Sequence, residues 1–223
     1  MKLVVDAVVF DLDGVLVDSE PVWEEVRRQY VADHGGQWQP DSQRRLMGMS
    51  TGEWARYLSV ELGVDRSAEQ VADDVVTEMA TRYAAAVPLV PGADAVVRGL
   101  ARSWPLGLAS SSPPRLIEAA LSASGLTESF AVAMSSESVP NGKPAPDIYL
   151  AVAERLGWQP AACVAVEDSS NGVRSADAAG MTVIAVPATD YPLDEDAQQR
   201  AAVVVDRLDA VTPEAVRAAG PET

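Results

Sequence analysis

Short apolar runs, most of them separated by segments with helical periodicity, constrain the fold of this 223-residue chain more than any other feature. The runs are rich in Val, Leu, Ile and Ala, which is typical of strands buried on both faces. Strands that alternate with helices build a parallel sheet with helices on both sides. The sequence therefore predicts a doubly wound α/β fold, with strands near residues 3–10, 106–109, 130–134, 163–166, 182–186 and 202–205.

Helix start and stop signals lie between several of these runs. One predicted helix has Ser112 as its N-cap, Pro113 as its first residue and Gly125 directly after its end. A second predicted helix carries an apolar stripe and ends before Gly157. These signals support the assignment of helices to the connections between strands.

The stretch 20–87 differs from the rest because it contains no comparable strand-like run. Two capping boxes, which begin at Ser50 and Ser67, each precede residues that repeat at helical spacing. A Pro- and Gly-rich junction lies directly after them. We therefore expect an all-α cap domain of residues 17–87, inserted into a core domain that consists of residues 1–16 and 88–223.

Composition excludes several classes of function. Acidic residues number 33 and basic residues 17, and the resulting formal charge of −16 repels nucleic acid and anionic lipid. No apolar run approaches the ~18–20 residues that a membrane-spanning helix needs. The single cysteine, Cys163, and the single histidine, His34, leave no basis for a disulfide or for a Cys-rich or multi-His metal site. We expect a cytoplasmic protein whose partners include neither nucleic acid nor membrane.

Acidic pairs follow two of the predicted strands. Asp11 and Asp13 follow the first run, and Glu167 and Asp168 follow the run at 163–166. Ligands of open α/β sheets bind at the carboxyl ends of the strands, so these side chains are expected to converge. A hard cation relieves the repulsion among carboxylates, and all-oxygen ligation favours Mg²⁺. The pattern predicts a magnesium site.

Hydroxyl groups and a lysine are expected at the same edge. Ser110 and Ser111 end the second run at the start of a predicted helix, where free N–H groups suit a phosphate, although plain capping by Ser112 is the alternative. Lys143 is one of two lysines in a chain with 15 arginines. A compact ammonium there could neutralise both a carboxylate and a phosphate, and a solvated surface lysine is the alternative.

These motifs in this order resemble the haloacid dehalogenase-like superfamily, specifically its phosphatase and phosphomutase branch with a helical cap after the first motif. The matching stretches are FDLDGVL at 10–16, LASSS at 108–112, GKPAPD at 142–147 and VEDS at 166–169, followed by Asn171 and Gly172. The resemblance covers nearly the whole chain, including the position of the cap.

The resemblance implies roles for the site residues. Asp11 would attack phosphorus and form an aspartyl-phosphate, and Asp13 would act first as the general acid and then as the general base. Ser110, with Ser111 beside it, would bind the transferring phosphoryl group. Lys143 would hold the nucleophile and the phosphate in register.

The resemblance also implies the metal ligands and the substrate class. Asp11, the main-chain carbonyl of Asp13, and Asp168 would hold Mg²⁺. Glu167 would either bind the ion directly or lie in the next layer of residues, which surrounds the direct ligands. The implied function is magnesium-dependent hydrolysis of small phosphate monoesters, with phosphorylated sugars as the expected metabolites.

Three other functions remain open from the sequence. β-Phosphoglucomutases of this branch carry a His and a basic residue at the positions of Trp23 and Thr51, and these departures favour hydrolysis over mutase activity. A dehalogenase would use the aspartate nucleophile without a metal. A non-enzymatic receiver-like phospho-switch would carry the aspartyl-phosphate, but it would lack a helical insert of this size.

Overall fold

The structure is a computed structural model of the chain, and it describes residues 5–46, 49–188 and 192–220. Parallel strands form a six-stranded sheet in the order β3-β2-β1-β4-β5-β6, which confirms the predicted α/β fold. The strands are β1 (Ala7–Phe10), β2 (Leu106–Ser110), β3 (Val132–Ser135), β4 (Cys163–Glu167), β5 (Thr182–Ala185) and β6 (Val203–Val204).

Strand ends differ from the prediction mainly in β1 and in the outer strands. β1 begins at Ala7 rather than at residue 3, and residues 3 and 4 of the predicted run lie outside the described residues. β6 contains only Val203 and Val204, and β3 begins at Val132 rather than at residue 130. β3 and β6 each pair with one neighbour, so less of their backbone is held in a ladder.

Helices cover both faces of the sheet, and none of the described helices is long and apolar enough to cross a membrane. Their bounds are α1 (Glu20–Asp33), α2 (Ser42–Leu46), α3 (Thr51–Arg56), α4 (Ala68–Ala85), α5 (Ala93–Ala101), α6 (Pro114–Ser124), α7 (Asp147–Leu156), α8 (Ser170–Ala178), α9 (Glu195–Arg200) and α10 (Pro213–Ala219). A π-helical turn, Tyr57–Glu61, continues α3.

The strands feed two apolar clusters because successive side chains point to opposite faces. Val8 and Phe10 of β1 join one cluster with buried residues of α5, α6 and α10. Ala7 and Val9 join the other cluster with buried residues of α7, α8 and α9. This arrangement makes β1 a central, fully buried strand, and it fixes the position of the residues directly after it.

Helices α1 to α4 occupy the segment that the sequence predicts to be helical. The capping boxes that begin at Ser50 and Ser67 are present, so both predicted helix starts are confirmed. The two ends of the segment meet where Val17 forms an antiparallel bridge with Leu89. Helix α4 packs on α6, the helix that follows β2.

The order of the strands reverses at β1, which lies between β2 and β4. In open α/β sheets the crevice beside such a reversal, at the carboxyl ends of the strands, is where ligands bind. The acidic residues predicted from the sequence come directly after β1 and at the end of β4, and they therefore flank this crevice.

Candidate active site

Lys143 lies between the acidic residue that follows β1 and the one that ends β4. Its Nζ atom is 2.6 Å from Asp11 Oδ1 and 2.6 Å from Glu167 Oε1, and its side chain is 7% exposed. Burial disfavours the ammonium, but the two carboxylates outweigh that effect and hold the pKa of Lys143 above its ordinary value. Lys143 is therefore a fixed buried cation rather than a solvated surface lysine.

Glu167 anchors this lysine. Its Oε1 atom also accepts a hydrogen bond of 2.7 Å from the Tyr149 hydroxyl on α7. Its Oε2 atom accepts from the main-chain N–H groups of Asp168 and Ser169, at 3.1 and 3.3 Å, and from the Ser169 hydroxyl at 3.2 Å. Since protein donors engage both oxygens, the carboxylate is held rigidly beside Lys143.

Asp11, Glu167 and Asp168 form an acidic cluster in which one oxygen from each lies within 4.8 Å of the others. Burial raises the pKa of Asp11 to about 7 against the opposing charge of Lys143. Burial, with the charges of Glu167 and Asp11, raises the pKa of Asp168 well above its ordinary value. Three carboxyl groups thus lie beside one ammonium, and their burial disfavours the ionised forms of Asp11 and Asp168 in the absence of a further cation.

A divalent cation fits this donor set. A cation held by buried carboxylates favours their ionised forms and offsets the desolvation that raises their pKa values. The available ligands are oxygen atoms, which suit Mg²⁺ better than they suit zinc. The side chain of Asp13 is not among the clustered groups in the described part of the chain, so any contribution from that residue would come from its main-chain carbonyl.

Asp13 lies against the end of β2 and the residues that follow it. Its Oδ2 atom accepts hydrogen bonds from the Ser112 hydroxyl at 2.7 Å and from the Ser110 hydroxyl at 3.4 Å. Its Oδ1 atom is buried and has no partner among the described residues. One oxygen of Asp13 is therefore oriented by two serine hydroxyls, and the other is left without a hydrogen-bond donor among the described residues.

The serine stretch after β2 is arranged differently from the prediction at one position. Ser110 is fully buried, and its hydroxyl accepts from the Ser112 N–H at 2.9 Å, whereas Ser111 is exposed at the edge of the crevice. The prediction that Ser112 caps the next helix is wrong, because α6 begins at Pro114 with Pro113 as its N-cap. The Ser112 hydroxyl is instead engaged by the Asp13 carboxylate.

Sequence reasoning did not identify Ser112, Ser169 or Tyr149 as residues of the site. Tyr149 lies in a buried apolar stripe of α7, where an aromatic residue is expected for packing alone. The serines lie next to identified motif residues, but a hydroxyl in such a place is usually a helix cap. Only the three-dimensional contacts distinguish these roles.

Two glycines allow the carboxylates to approach the backbone. Gly14 has a φ of +81°, and a Cβ atom there would lie 2.0 Å from Asp168 Oδ2. A Cβ atom on Gly172, in the first turn of α8, would lie 1.9 Å from Glu167 Oε1. A side chain at either position would displace a carboxylate of the site.

Gly172→Ala is therefore expected to lower the free energy of unfolding by about 1–3 kcal/mol, as overpacking of a buried site does. Gly52→Ala is the matched control, because Gly52 is an exposed helical residue with open space around its Cβ position. That control should be neutral or stabilising by up to about 1 kcal/mol. Urea denaturation measures both variants, and wild-type stability of Gly172→Ala would contradict the described packing of Glu167.

The two positions at which phosphomutases carry a His and a basic residue are occupied differently here. Trp23 packs against Trp54 with ring centres 5.7 Å apart. The Thr51 hydroxyl donates to Glu137 Oε1 at 3.0 Å and so links the helical segment to the loop after β3. Neither side chain supplies a positive charge to the crevice.

Comparisons with known proteins agree with this geometry. A family model of haloacid dehalogenase-like hydrolases matches residues 5–180. The chain is 35% identical over 195 residues to hexitol phosphatase B of Escherichia coli K12, covering 84% of this chain and 86% of that protein. It is also 35% identical over 177 residues to the phosphorylated carbohydrates phosphatase of Thermotoga maritima, covering 79% of this chain and 82% of that protein.

One solved structure has the same fold as this chain over almost the full length of both proteins. CbbY from Rhodobacter sphaeroides, in complex with phosphate, superimposes with a TM-score of 0.84 at 25% identity and covers 95% of this chain and 99% of its own. The likeness therefore extends over the helical segment as well as the sheet.

Proposed function

The chain belongs to the family of haloacid dehalogenase-like hydrolases, and we propose that this phosphatase uses magnesium and an aspartyl-phosphate on Asp11 to hydrolyse small phosphate monoesters, sugar phosphates in particular. The observation that carries the proposal is the pairing of Asp11, fixed by Lys143, with Asp13, one of whose oxygens is buried without a partner in the described part of the chain. A nucleophile and a proton donor on one short loop are what a two-step phosphoryl transfer requires.

In the first step Asp11 is the nucleophile. One of its carboxylate oxygens bonds to phosphorus while the bond from phosphorus to the ester oxygen breaks. Lys143 holds Oδ1 of Asp11 and neutralises part of the negative charge of the transferring phosphoryl group. Ser110 and Ser111 donate hydrogen bonds to the oxygens of that group. Positioning and charge stabilisation supply most of the catalysis in phosphoryl transfer.

Asp13 moves the proton in both steps. In the first step its carboxyl group gives a proton to the departing ester oxygen, which leaves as an alcohol. In the second step its carboxylate takes a proton from water as the water oxygen attacks phosphorus, which releases inorganic phosphate and restores Asp11. Hydrogen bonding of Oδ2 to Ser112 keeps the free Oδ1 in a fixed direction for both transfers.

Asp11, Asp168 and the main-chain carbonyl of Asp13 would hold the magnesium ion. Glu167, both of whose oxygens are engaged by protein donors, would stay outside direct contact and keep Lys143 in place. When bound, the ion supplies positive charge that offsets the negative charge of the ester and of the acidic cluster.

We also propose that residues 17–87 act as a cap domain over the crevice. The segment is linked to the core through the Val17–Leu89 bridge and through contacts such as the Arg115 side chain to the Thr77 hydroxyl at 2.8 Å. A closed cap excludes water from the nucleophile until the ester is bound.

Hydrolysis is favoured over phosphomutase activity because Trp23 and Thr51 stand at the positions where β-phosphoglucomutases carry a His and a basic residue, and both make other contacts here. A panel of phosphate esters assayed with magnesium tests this function. It includes β-glucose 1-phosphate with a bisphosphate primer. Release of inorganic phosphate from sugar phosphates is expected, whereas formation of glucose 6-phosphate without phosphate release would identify a mutase.

Removal of divalent cations is expected to abolish turnover, and added Mg²⁺ should restore it. Asp168→Asn should raise the magnesium concentration needed for half-maximal activity by at least about tenfold. Asp94→Asn, which changes an exposed carboxylate on α5, serves as the control and should leave that concentration unchanged. Full activity after treatment with EDTA would contradict the magnesium assignment and favour metal-independent chemistry of the dehalogenase type.

Asp13→Asn is expected to slow hydrolysis most for esters whose departing oxygen needs a proton in order to leave. Asn cannot donate the proton that an alkoxide needs. The loss of kcat should be about 10²–10⁴-fold for a sugar phosphate and much smaller for an aryl phosphate. Steady-state assays with both esters measure the difference. Equal losses on the two esters would contradict the acid role of Asp13.

A further inference from the structure

Arg27 on α1 is a buried cation that the mechanism does not use. The residue is 5% exposed, yet it forms neither an ion pair nor a hydrogen bond with any of the residues that the structure describes, and its Nε atom is buried. Lys143, the other buried cation discussed above, has two ion pairs. Burial lowers the pKa of Arg27 to about 10 although the charges of Glu20 and Asp13 oppose the change.

Two indole rings hold this guanidinium in place. Its central carbon lies 4.3 Å from the ring centre of Trp23 and 5.0 Å from that of Trp54. Cation–π contacts stabilise the charge through the flat faces of the rings, but they accept none of the N–H groups of the guanidinium. The N–H donors therefore keep the planar, forked arrangement that matches a carboxylate or a phosphate.

Arg27 lies on the same face of α1 as Glu20 and Trp23, because these residues follow one another at helical spacing. The Asp13 charge acts on the pKa of both Arg27 and Glu20, so the three groups lie within electrostatic reach of one another. Glu20 accepts a hydrogen bond of 2.7 Å from Gln43 Nε2, and the Oε1 atom of Gln43 is buried without a partner among the described residues. Glu20 and Gln43 thus offer acceptors for hydroxyl groups near a guanidinium that has no hydrogen-bond acceptor among the described residues.

We propose that Arg27 is a specificity-determining residue that binds a second anionic group on the leaving group of the substrate. Preferred substrates are then hydroxylated phosphate monoesters that carry a carboxylate or a second phosphate. An anion suits the site better than a neutral hydroxyl does, because the guanidinium donors have no acceptor among the described residues and a charge-assisted bidentate contact would satisfy them. This inference rests on the proposed phosphatase function, and it names the substrate class of that same site.

Matched substrate pairs test the inference. 6-Phosphogluconate is compared with sorbitol 6-phosphate, and fructose 1,6-bisphosphate is compared with fructose 1-phosphate, at saturating Mg²⁺. In at least one pair, the wild-type kcat/KM for the charged member should exceed that for the neutral member by about tenfold or more. A charge-assisted bidentate contact provides a difference of this size. The pair that shows the preference distinguishes a carboxylate from a phosphate as the bound group.

Variants of Arg27 separate binding from packing. Arg27→Met should remove the preference through a raised KM for the charged member, with less than about a threefold change on its neutral partner and on p-nitrophenyl phosphate. Arg27→Lys keeps the charge without the fork and should retain part of the preference. Arg28→Met, which removes an exposed arginine one residue further on, is the control and should behave as wild type.

The outcomes distinguish failure of this inference from failure of the proposed function. Equal or lower kcat/KM on the charged members by the wild-type enzyme, with sugar phosphates still hydrolysed, overturns the role of Arg27 alone. Equal losses on charged and neutral members in a folded Arg27→Met variant also overturn it, because they indicate packing. No hydrolysis of any ester overturns both proposals. If Arg27→Met does not fold, the wild-type comparison and Arg27→Lys decide the question.

Discussion

Asp11→Asn is expected to lower kcat by at least about 10⁴-fold while the protein stays folded. The amide cannot form the aspartyl-phosphate, and no neighbouring carboxylate occupies the same position. Burial raises the pKa of Asp11, so the ionised carboxylate is disfavoured in the folded protein, and a neutral amide of the same shape should not destabilise it. The free energy of unfolding is therefore expected to be unchanged or higher, as at other sites where function costs stability.

Assays of phosphate release with a sugar phosphate, together with urea denaturation, measure both parts of this expectation. Asp73→Asn is the control, because Asp73 is exposed on α4 and distant in sequence from every motif. It should leave both activity and stability near those of the wild type. Residual turnover of Asp11→Asn within about tenfold of wild type would remove Asp11 from the nucleophile role.

Lys143→Met is expected to lower the free energy of unfolding by about 3–5 kcal/mol at neutral pH and to abolish turnover. The substitution leaves Asp11 and Glu167 buried without their cation, and Asp168 adds a further carboxylate nearby. Arg98→Met removes an arginine from an exposed ion pair with Asp94, and it should cost less than about 1 kcal/mol. Urea denaturation in the presence of EDTA compares the two variants.

A double variant shows whether the cost arises from the unpaired carboxylate. Glu167→Gln removes one of the negative charges that Lys143 neutralises, and Gln keeps an oxygen for the Tyr149 hydroxyl. Adding Glu167→Gln to Lys143→Met should recover part of the lost stability, so the two effects should not be additive. Additive losses would indicate that the Lys143 side chain contributes packing rather than charge.

Much of the fold is predictable from local patterns in the sequence. The apolar runs predict every strand because a strand buried on both faces needs a continuous run of apolar residues. Gly125 and Gly157 mark helix ends correctly, since both adopt the left-handed conformation that terminates a helix. Strand ends are less well determined, as Val203–Val204 shows, because pairing with a neighbour rather than residue type decides where a strand stops.

The candidate site is also predictable only in part, because contacts made in three dimensions complete it. Asp11 and Glu167 can be identified because parallel strands bring the residues at their carboxyl ends to one edge of the sheet, and Lys143 because lysine is rare in this chain. The contacts of Tyr149 with Glu167, and of Ser112 with Asp13, depend on side-chain directions that no spacing rule reports. The motifs do not include the buried arginine of α1, whose charged sequence neighbourhood is typical of a solvated helix face.

The central claim is that Asp11 carries the phosphoryl group during turnover, and acid quenching followed by mass spectrometry tests it directly. The Asp13→Asn variant, mixed with Mg²⁺ and an aryl phosphate, should accumulate a protein whose mass has increased by one phosphoryl group, mapped to the peptide that contains Asp11. The same variant without Mg²⁺, and Asp11→Asn with it, should remain unmodified. Steady release of phosphate by wild-type enzyme with no such adduct in the variant, or an adduct on another residue, would contradict the account.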